Sequence, residues 1–303
     1  MANDIKNKHN KTKQSAKKSK LKMQPYQDLA KTKLAKTDPG SAIDMVAKAR
    51  IADRMCGSDF IRYALTDFVE LHGDRAYGDD NAITCGIGFL DDLAVTVITL
   101  EKGKTTNERI KRNFGSAHPE GYRKALRLMK QAEKFERPVI CFVDTSGAYC
   151  GIGAEERGQG HAIARNLMEM MTLNTPILSV LTGEGGSGGA LGLAVADEVW
   201  MMQNSIYSVI SPEGCASILY KDEKKSPEAA EALKLTSKNL LSFGIVEQII
   251  PENDKTLSNL KTKILEKLHS LLQLDPAELI KRRYDRFRKI GKYEEKKEIL
   301  IVN

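Results

Sequence analysis

The sequence lacks the features of secreted, membrane-spanning and zinc-ribbon proteins. Its 303 residues include only five cysteines, which are scattered and never spaced as CxxC, so neither a disulfide framework nor a zinc ribbon is predicted. There is no run of about 18 apolar residues and no apolar secretory signal at the N-terminus. Cys141, inside the apolar run Val139 to Val143, is expected to be a small buried side chain. We therefore expect a cytoplasmic protein without a membrane segment.

The net charge of +7 comes from one end of the chain. Residues 1–23 hold eight lysines and a single acid, Asp4, whereas the other 280 residues carry 39 basic and 39 acidic side chains. A lysine-rich tail without aromatic residues favours a disordered, solubilising arm, although it could also dock on an acidic partner. The tail contains no arginine, which argues against a mitochondrial transit peptide. The neutral remainder argues against nucleic-acid binding.

Apolar residues recur at helical spacing near both ends of the chain. Ile43 to Met55 and Asp59 to Leu71 predict two early helices, and Lys255 to Leu272 and Pro276 to Ile290 predict two late ones. The expected organisation is a tail (1–24), a helical lead-in (25–73), a main domain (74–254) and a helical C-terminal extension (255–303).

The main domain alternates short apolar strands with helices. A hairpin is predicted first, because Ile83 to Leu90 and Leu93 to Leu100 are rich in β-branched residues and flank two aspartates. Fully apolar strands between helices indicate a sheet covered on both faces, so we predict an α/β fold. The later elements are expected in the order helix Glu120 to Glu136, strand Val139 to Asp144, helix Glu155 to Leu173, strand Ile177 to Thr182, helix Ser187 to Ala196, and strands Val199 to Met202, Ile206 to Ile210 and Val246 to Ile250.

Five glycines lie within seven residues, in the segment Gly183 to Gly189. A phosphate-binding loop would need the pattern GxxxxGK[ST], and no lysine follows Gly188 or Gly189. The segment also satisfies GxSxG, the nucleophile elbow of hydrolases, with Ser187 as the nucleophile. That elbow needs a later histidine, and the only one is His269 in an amphipathic segment, so a turn or N-cap role for Ser187 is favoured.

A third interpretation of the glycines uses the backbone itself. Glycines at a strand end allow close approach, and the first amides of the next helix have no partner within it, which suits an oxyanion hole. A tight turn without a ligand is the alternative, although two glycines would suffice for it. A second glycine-bearing turn, Val143 to Gly153, also follows an apolar strand, and such turns meet at the carboxyl edge of a parallel sheet. Two such turns, with no acid-base pair evident, favour stabilisation of an enolate-like or amide-like oxyanion.

Several longer strings resemble one family, the α subunit of bacterial acetyl-CoA carboxylase carboxyltransferase. The likeness spans roughly residues 58–250, and RRYDRFRKIGK (282–292) is similar to the C-terminal helix of that family. The strings are HGDRAYGDD (72–80), RNFGSAHPEGYRKALRLM (112–129), GAEERGQ (153–159), GEGGSGGA (183–190) and YSVISPEGCASIL (207–219).

The resemblance implies a crotonase-type fold of stacked ββα turns and a transfer of CO₂ from carboxybiotin to the enolate of acetyl-CoA, which gives malonyl-CoA for fatty-acid synthesis. It implies a heterotetramer of two α and two β subunits, in which the β subunit carries a zinc ribbon, so no metal is expected in this chain. The biotin carboxyl carrier protein and biotin carboxylase are the other implied partners.

The resemblance also implies roles for individual residues. Gly188 and Gly189 are expected to donate backbone hydrogen bonds to the ureido oxygen of biotin, and Gly185 and Gly186 to shape the approach. The facing wall, which we define as Gly147, Ala148 and Tyr149, is expected to contact substrate. The basic segment, residues 102–112, is expected to face coenzyme A phosphates or the carrier, chiefly through Lys102 and Arg112, whereas Arg157 is expected to be mainly structural.

The chain departs from the family pattern at three places. Where the family usually reads DTPGAYPG, this chain has Ser146 and Cys150 in place of the prolines, which puts the rigidity of the facing wall in doubt. Glu101 stands where the family usually has a neutral amide, and the lead-in lacks the family's Arg-Pro pair after residue 54. These departures suggest a diverged or second copy of the subunit.

Two other functions stay open on the sequence alone. The departures are compatible with a non-catalytic paralogue that binds the β subunit or the carrier, although the intact GEGGSGGA string speaks against it. A stand-alone crotonase-type hydratase or hydrolase would be active without a partner, but it would need an acid-base pair that the sequence does not show.

Overall fold

The computed structural model describes residues 40–291, and the predictions for the lysine-rich tail, for residues 25–39 of the helical lead-in and for the last twelve residues lie outside them. The strands are β1 (Leu65–Glu70), β2 (Ile83–Leu90), β3 (Leu93–Leu100), β4 (Val139–Thr145), β5 (Ile177–Gly186), β6 (Glu198–Met202), β7 (Ile206–Ser208) and β8 (Gln248–Ile250). The helices are α1 (Ala42–Ala49), α2 (Gly57–Ala64), α3 (Thr106–Lys111), α4 (Pro119–Lys134), α5 (Ile152–Glu156), α6 (Gln159–Thr172), α7 (Ser187–Leu191), α8 (Pro212–Cys215), α9 (Ser226–Leu233), α10 (Ser237–Ser242), α11 (Thr256–Leu272) and α12 (Pro276–Lys289).

The strands form one mixed sheet in the order β1-β2-β3-β4-β5-β6-β8, and β7 pairs with the far end of β5. The first three strands are antiparallel, which confirms the predicted hairpin, and β3 to β6 and β8 run parallel. Parallel strands need helical crossovers, and helices do separate β3, β4 and β5. This is the predicted α/β fold, and Cys141 is fully buried within its core.

The prediction of a helix over Asp59 to Leu71 is wrong beyond Ala64. The chain continues from α2 into β1, which pairs antiparallel with β2. Gly86 and Gly88 on β2 make room for β1, because a Cβ at Gly86 would overlap the Phe68 ring and a Cβ at Gly88 would crowd the β1 backbone. The strand is therefore decided by a partner sequence about 20 residues later, and a helical spacing of apolar residues does not reveal it.

Several other element boundaries differ from the prediction. The helix expected over Ile43 to Met55 ends at Ala49, and the strands expected over Ile206 to Ile210 and Val246 to Ile250 are shortened to Ile206–Ser208 and Gln248–Ile250. The helix expected over Glu155 to Leu173 is broken into α5 and α6 at Gly158, whose φ is +80°. The strand expected to end at Thr182 continues through Gly186, because β7 pairs with its last residues. The helix expected over Ser187 to Ala196 ends at Leu191, since the following residues turn toward β6.

The C-terminal extension is joined to the sheet by one buried cation. Arg283 on α12 is fully buried, and its guanidinium donates to both carboxylate oxygens of Asp197 at 2.8 and 2.9 Å. It also donates to the backbone carbonyls of Met170, Leu173 and Thr175. A buried guanidinium with carboxylate and carbonyl partners fixes α12 against the end of α6 and the start of β5.

Candidate functional site

The two glycine-bearing turns lie side by side at the carboxyl edge of the sheet. β4 and β5 are parallel neighbours, and their register shifts so that Thr145 pairs with Gly185. A Cβ at Gly186 would overlap the carbonyl of Ser146, and a Cβ at Gly189 would overlap the amide nitrogen of Ala148. These two glycines are required because the facing wall crosses the glycine segment backbone against backbone.

Gly188 is in a different position from its neighbours. A Cβ there would meet only Cγ2 of Ile163, at 3.8 Å, and Gly188 lines a cavity of about 370 Å³. Most of the lining is apolar, including Leu191, Tyr207 and Val209. Gly188 and Gly189 lie in the first turn of α7, where amide groups have no acceptor within their own helix. The bare backbone thus borders open space large enough for a small bicyclic ring.

The facing wall is held by hydrogen bonds from its own chain. The hydroxyl of Thr145 donates to the carbonyl of Gly147 at 2.8 Å and accepts from the amide of Gly147 at 3.0 Å. The φ of Gly147 is +150°, and no atom lies within 4 Å of a Cβ built there. Tyr149 is 40% exposed and stacks on the ring of His118, with centroids 4.1 Å apart. The structure therefore brings Gly147 and Ala148 to the glycine segment, whereas the ring of Tyr149 lies against His118.

Lys102 lies in a partly buried charge cluster. Its ammonium pairs with Glu184 of the glycine segment and lies 3.5 Å from Asp144. Arg50, the C-cap of α1, binds the other oxygen of Glu184 at 2.7 Å and Glu213 at 2.6 Å. Burial opposes ionisation of Glu184, but Lys102 and Arg50 outweigh it and lower its pKa; burial raises the pKa of Asp144 although Lys102 opposes this. The cluster anchors the end of β5 under the site.

Arg112 lies apart from the glycine segment. Its guanidinium is 3.1 Å from Glu101, donates to the carbonyl of Asn81 at 2.9 Å, and lines a separate cavity of about 460 Å³. Glu101 is 3% exposed and accepts from the amide and hydroxyl of Ser58, near the start of α2. The family departure at Glu101 is therefore an internal contact that fixes α2 and Arg112.

The positions of Ser187 and His269 do not support Ser187 as a hydrolase nucleophile. Gly186 occupies the N-cap, so Ser187 is the first residue of α7 and not its cap as expected. Ser187 is exposed with a φ of +51°, and His269 lies on the exposed face of α11. Within residues 40–291, no group of three or more His, Cys, Asp or Glu side chains is placed to hold a metal ion.

Sequence reasoning missed the charge cluster and the contacts that hold the facing wall. Glu184 and Asp144 carried a readable signal, because an acid at the end of an otherwise apolar or glycine-rich strand must find a partner on burial. The partners of Tyr149 carried none, since they come from distant parts of the chain.

The chain is similar in sequence to proteins of one family. A family described as "Acetyl co-enzyme A carboxylase carboxyltransferase-like" matches residues 2–291. The acetyl-coenzyme A carboxylase carboxyl transferase subunit alpha of Ruminiclostridium cellulolyticum is 58% identical over 255 residues, which cover 83% of this chain and 98% of that protein. A protein of Clostridium tetani named as subunits beta/alpha is 48% identical over 289 residues, which cover 91% of this chain and 50% of that one.

Solved structures show the same fold at low sequence identity. Transcarboxylase 12S aligns with a TM-score of 0.58 and 16% identity, over 81% of this chain and 44% of that one. A Pseudomonas malonate decarboxylase hetero-tetramer in complex with coenzyme A aligns with a TM-score of 0.57 and 16% identity, over 70% of this chain and 89% of that one. The expected crotonase-type fold is thereby confirmed. The family match and the relatives more than half identical to it show that the chain belongs to the α subunits of acetyl-CoA carboxylase carboxyltransferase.

Proposed function

We propose that this chain, paired with a carboxyltransferase β subunit, moves the carboxyl group of carboxybiotin on its carrier protein to acetyl-CoA and forms malonyl-CoA. The observation that carries the proposal is the contrast within the glycine segment. Gly186 and Gly189 are packed against the facing wall, whereas Gly188 opens onto an apolar cavity. The backbone is thus held rigidly on one side and left bare on the other, which is the arrangement that an oxyanion hole requires.

In this proposal the amides of Gly188 and Gly189 donate to the ureido oxygen of biotin as negative charge develops on it. Amides held in place need little reorganisation, and one such donor supplies roughly 100- to 1000-fold in rate. Gly185 and Gly186 leave the approach free of side chains, while Gly147, Ala148 and Tyr149 close the opposite side. The apolar lining of the Gly188 cavity suits the biotin ring and excludes water from the donors.

The contacts of Lys102 and Arg112 support a structural role for both. Lys102 pairs with Glu184 beneath the glycine segment, and Arg112 pairs with Glu101 at the other cavity. A cation already bound to a buried carboxylate contributes little attraction for a coenzyme A phosphate. We therefore propose that the β subunit binds the phosphates of acyl-CoA, and that Lys102 holds the end of β5 in place.

A β subunit is the proposed partner, in a complex of two α and two β subunits, with the biotin carboxyl carrier protein and biotin carboxylase acting upstream. The Clostridium tetani relative supports the pairing, because its name covers both subunits and this chain spans half of it. We place zinc on the β subunit and the reaction in the cytoplasm. All five cysteines are free, which fits a reducing compartment. No helix in residues 40–291 is long and apolar enough to cross a membrane.

The test is an assay of malonyl-CoA-dependent carboxylation of a soluble biotin analogue. The chain is measured alone and mixed with a carboxyltransferase β subunit, and the particle mass is recorded in parallel. We expect activity only in the mixture, at the mass of a heterotetramer. A mixture that assembles but has no activity would support the non-catalytic paralogue, and hydrolysis or hydration of an acyl-CoA by the chain alone, without the biotin analogue, would support a stand-alone hydrolase or hydratase.

A further inference from the structure

The N-terminal end of α4 contacts both backbone segments of the site. Tyr122 is fully buried, and its hydroxyl donates to the carbonyl of Gly189 at 3.1 Å. Two residues before the helix, the carbonyl of Ala117 accepts from the amide of Tyr149 at 3.0 Å. One rigid end of a 16-residue helix thus reaches the glycine segment on one side and the facing wall on the other.

Gln159, the first residue of α6, reinforces the same connection. Its side chain is almost fully buried, and its amide nitrogen donates to the carbonyls of Ala117 at 2.7 Å and Tyr149 at 3.1 Å. Carbonyl oxygens can only accept, so the nitrogen side of the amide must face them. The Oε1 atom of Gln159 has no hydrogen-bond partner among the described residues, so the side-chain amide bonds only to the two carbonyls.

The Tyr149 ring has a third support. It stacks on His118 at an interplanar angle of 24°. His118 is itself held, since its amide donates to Asp80 at 2.5 Å and its Nδ1 lies 3.2 Å from the side-chain nitrogen of Asn113. These contacts supply the order that prolines in place of Ser146 and Cys150 would otherwise give to the facing wall.

We infer that Tyr122 and Gln159 are positioning residues, which set the distance between the facing wall and the donor amides of Gly188 and Gly189. This inference rests on the proposed function of those amides. Neither side chain borders the Gly188 cavity, so each acts through the backbone that it holds. A displacement of about 1 Å in a reacting geometry can lower a rate about 100-fold, so the loss of one buried hydrogen bond is visible in kcat.

The experiment compares Tyr122→Phe and Gln159→Met with the matched control Ser179→Ala. Ser179 is also fully buried, and its hydroxyl donates to the carbonyl of Leu193 at 3.0 Å without touching either segment. Each full-length variant is mixed with the β subunit and assayed for kcat, for KM of the biotin analogue and for Tm. We expect kcat to fall about 10-fold for Tyr122→Phe and about 100-fold for Gln159→Met, with KM nearly unchanged, because the lost interaction acts on the transition state. Ser179→Ala should lower Tm alone.

A second measurement is independent of activity. Amide hydrogen exchange should accelerate in both variants and stay unchanged in Ser179→Ala at three hydrogen-bonded amides: Gly147 and Tyr149 of the facing wall, and Gly192, whose amide donates to the carbonyl of Gly188. Wild-type kcat and wild-type exchange in Tyr122→Phe and Gln159→Met, with only Tm lowered, would overturn the inference. An inactive wild-type mixture would instead count against the proposed function, and the exchange data would still decide whether the two residues hold the segments. If Gln159→Met does not fold, Tyr122→Phe still decides the inference for Tyr122, and the more conservative Gln159→Glu replaces the second variant.

Discussion

The glycine segment and the basic segment, residues 102–112, differ in how their polar groups are used. Gly188 presents a bare backbone to an open cavity. In the basic segment, Lys102, Lys104 and Arg112 each pair with a carboxylate of the same chain. A run of cations looks like an anion site in the sequence, yet these three of its five charges are already partnered. The comparison shows that a segment can bind a ligand through polar groups that have no partner within the chain, and that the number of polar groups alone does not decide this.

The largest expected effect comes from Gly188→Val. A Cβ at Gly188 meets only Ile163, at 3.8 Å, and Gly188 is outside the positive-φ region, so we expect the fold to be kept. Transfer should fall at least about 100-fold, because the added bulk blocks access to the donor amides. The measurement is carboxylation of the biotin analogue by the variant mixed with the β subunit, together with its Tm.

Gly160→Val is the matched control, because Gly160 is exposed on α6 and a Cβ there has no atom within 4 Å. Its activity should equal that of the wild type. Full activity of Gly188→Val in the assembled complex would show that Gly188 is not a donor. The free backbone that distinguishes the glycine segment from the basic segment would then have no role in transfer.

Lys102→Met is expected to lower stability. The Lys102 side chain is 13% exposed and binds Glu184. In the variant, Glu184 would still pair with Arg50. We expect a loss of about 2 kcal/mol in the free energy of unfolding, below the cost of leaving a buried charge with no partner at all. KM for malonyl-CoA and its salt dependence should stay unchanged.

The control for Lys102→Met is Lys261→Met, since Lys261 pairs with the half-exposed Asp91 and such surface pairs contribute about 0–1 kcal/mol. A large rise in KM for malonyl-CoA with unchanged stability in Lys102→Met would restore the phosphate-contacting role that the sequence suggested.

The smallest effect on activity is expected from Asp74→Asn, which tests the role of internal partners outside both segments. Burial opposes ionisation of Asp74, but the amides of residues 76–78 and the guanidinium of Arg123 outweigh it and lower its pKa to about 2. Because the folded-state pKa is the lower one, this group stabilises the fold above about pH 4, and the contribution of about 1–2 kcal/mol is lost as the pH falls toward 2.

Unfolding by urea between pH 2 and 7 measures this contribution. The difference in stability between the wild type and Asp74→Asn should shrink as the pH falls below about 4, while transfer activity at neutral pH stays close to that of the wild type. An undiminished difference at pH 2 would show that the carboxylate charge is not what Asp74 contributes.

Sequence patterns predicted the parts of the fold that depend on local periodicity. The β2–β3 hairpin and the alternation of α4, β4, α6 and β5 are confirmed, because apolar runs and turn residues lie within a few residues of each other. β1 was missed, since its partner glycines, Gly86 and Gly88, lie in another strand. Lys102 was expected to face a phosphate because a linear pattern does not show that Glu184 is folded against it.

The sequence by itself determined the α/β alternation, the family strings and the positions of the two glycine-bearing turns, because each depends on residues that are neighbours in the chain. Only the tertiary structure decided that Gly188 faces a cavity while Gly186 and Gly189 are packed against the facing wall. It also decided that Tyr122 and Gln159 hold both segments. The physical reason is that whether a backbone group is free, and how far it lies from another, depends on contacts between residues dozens of positions apart.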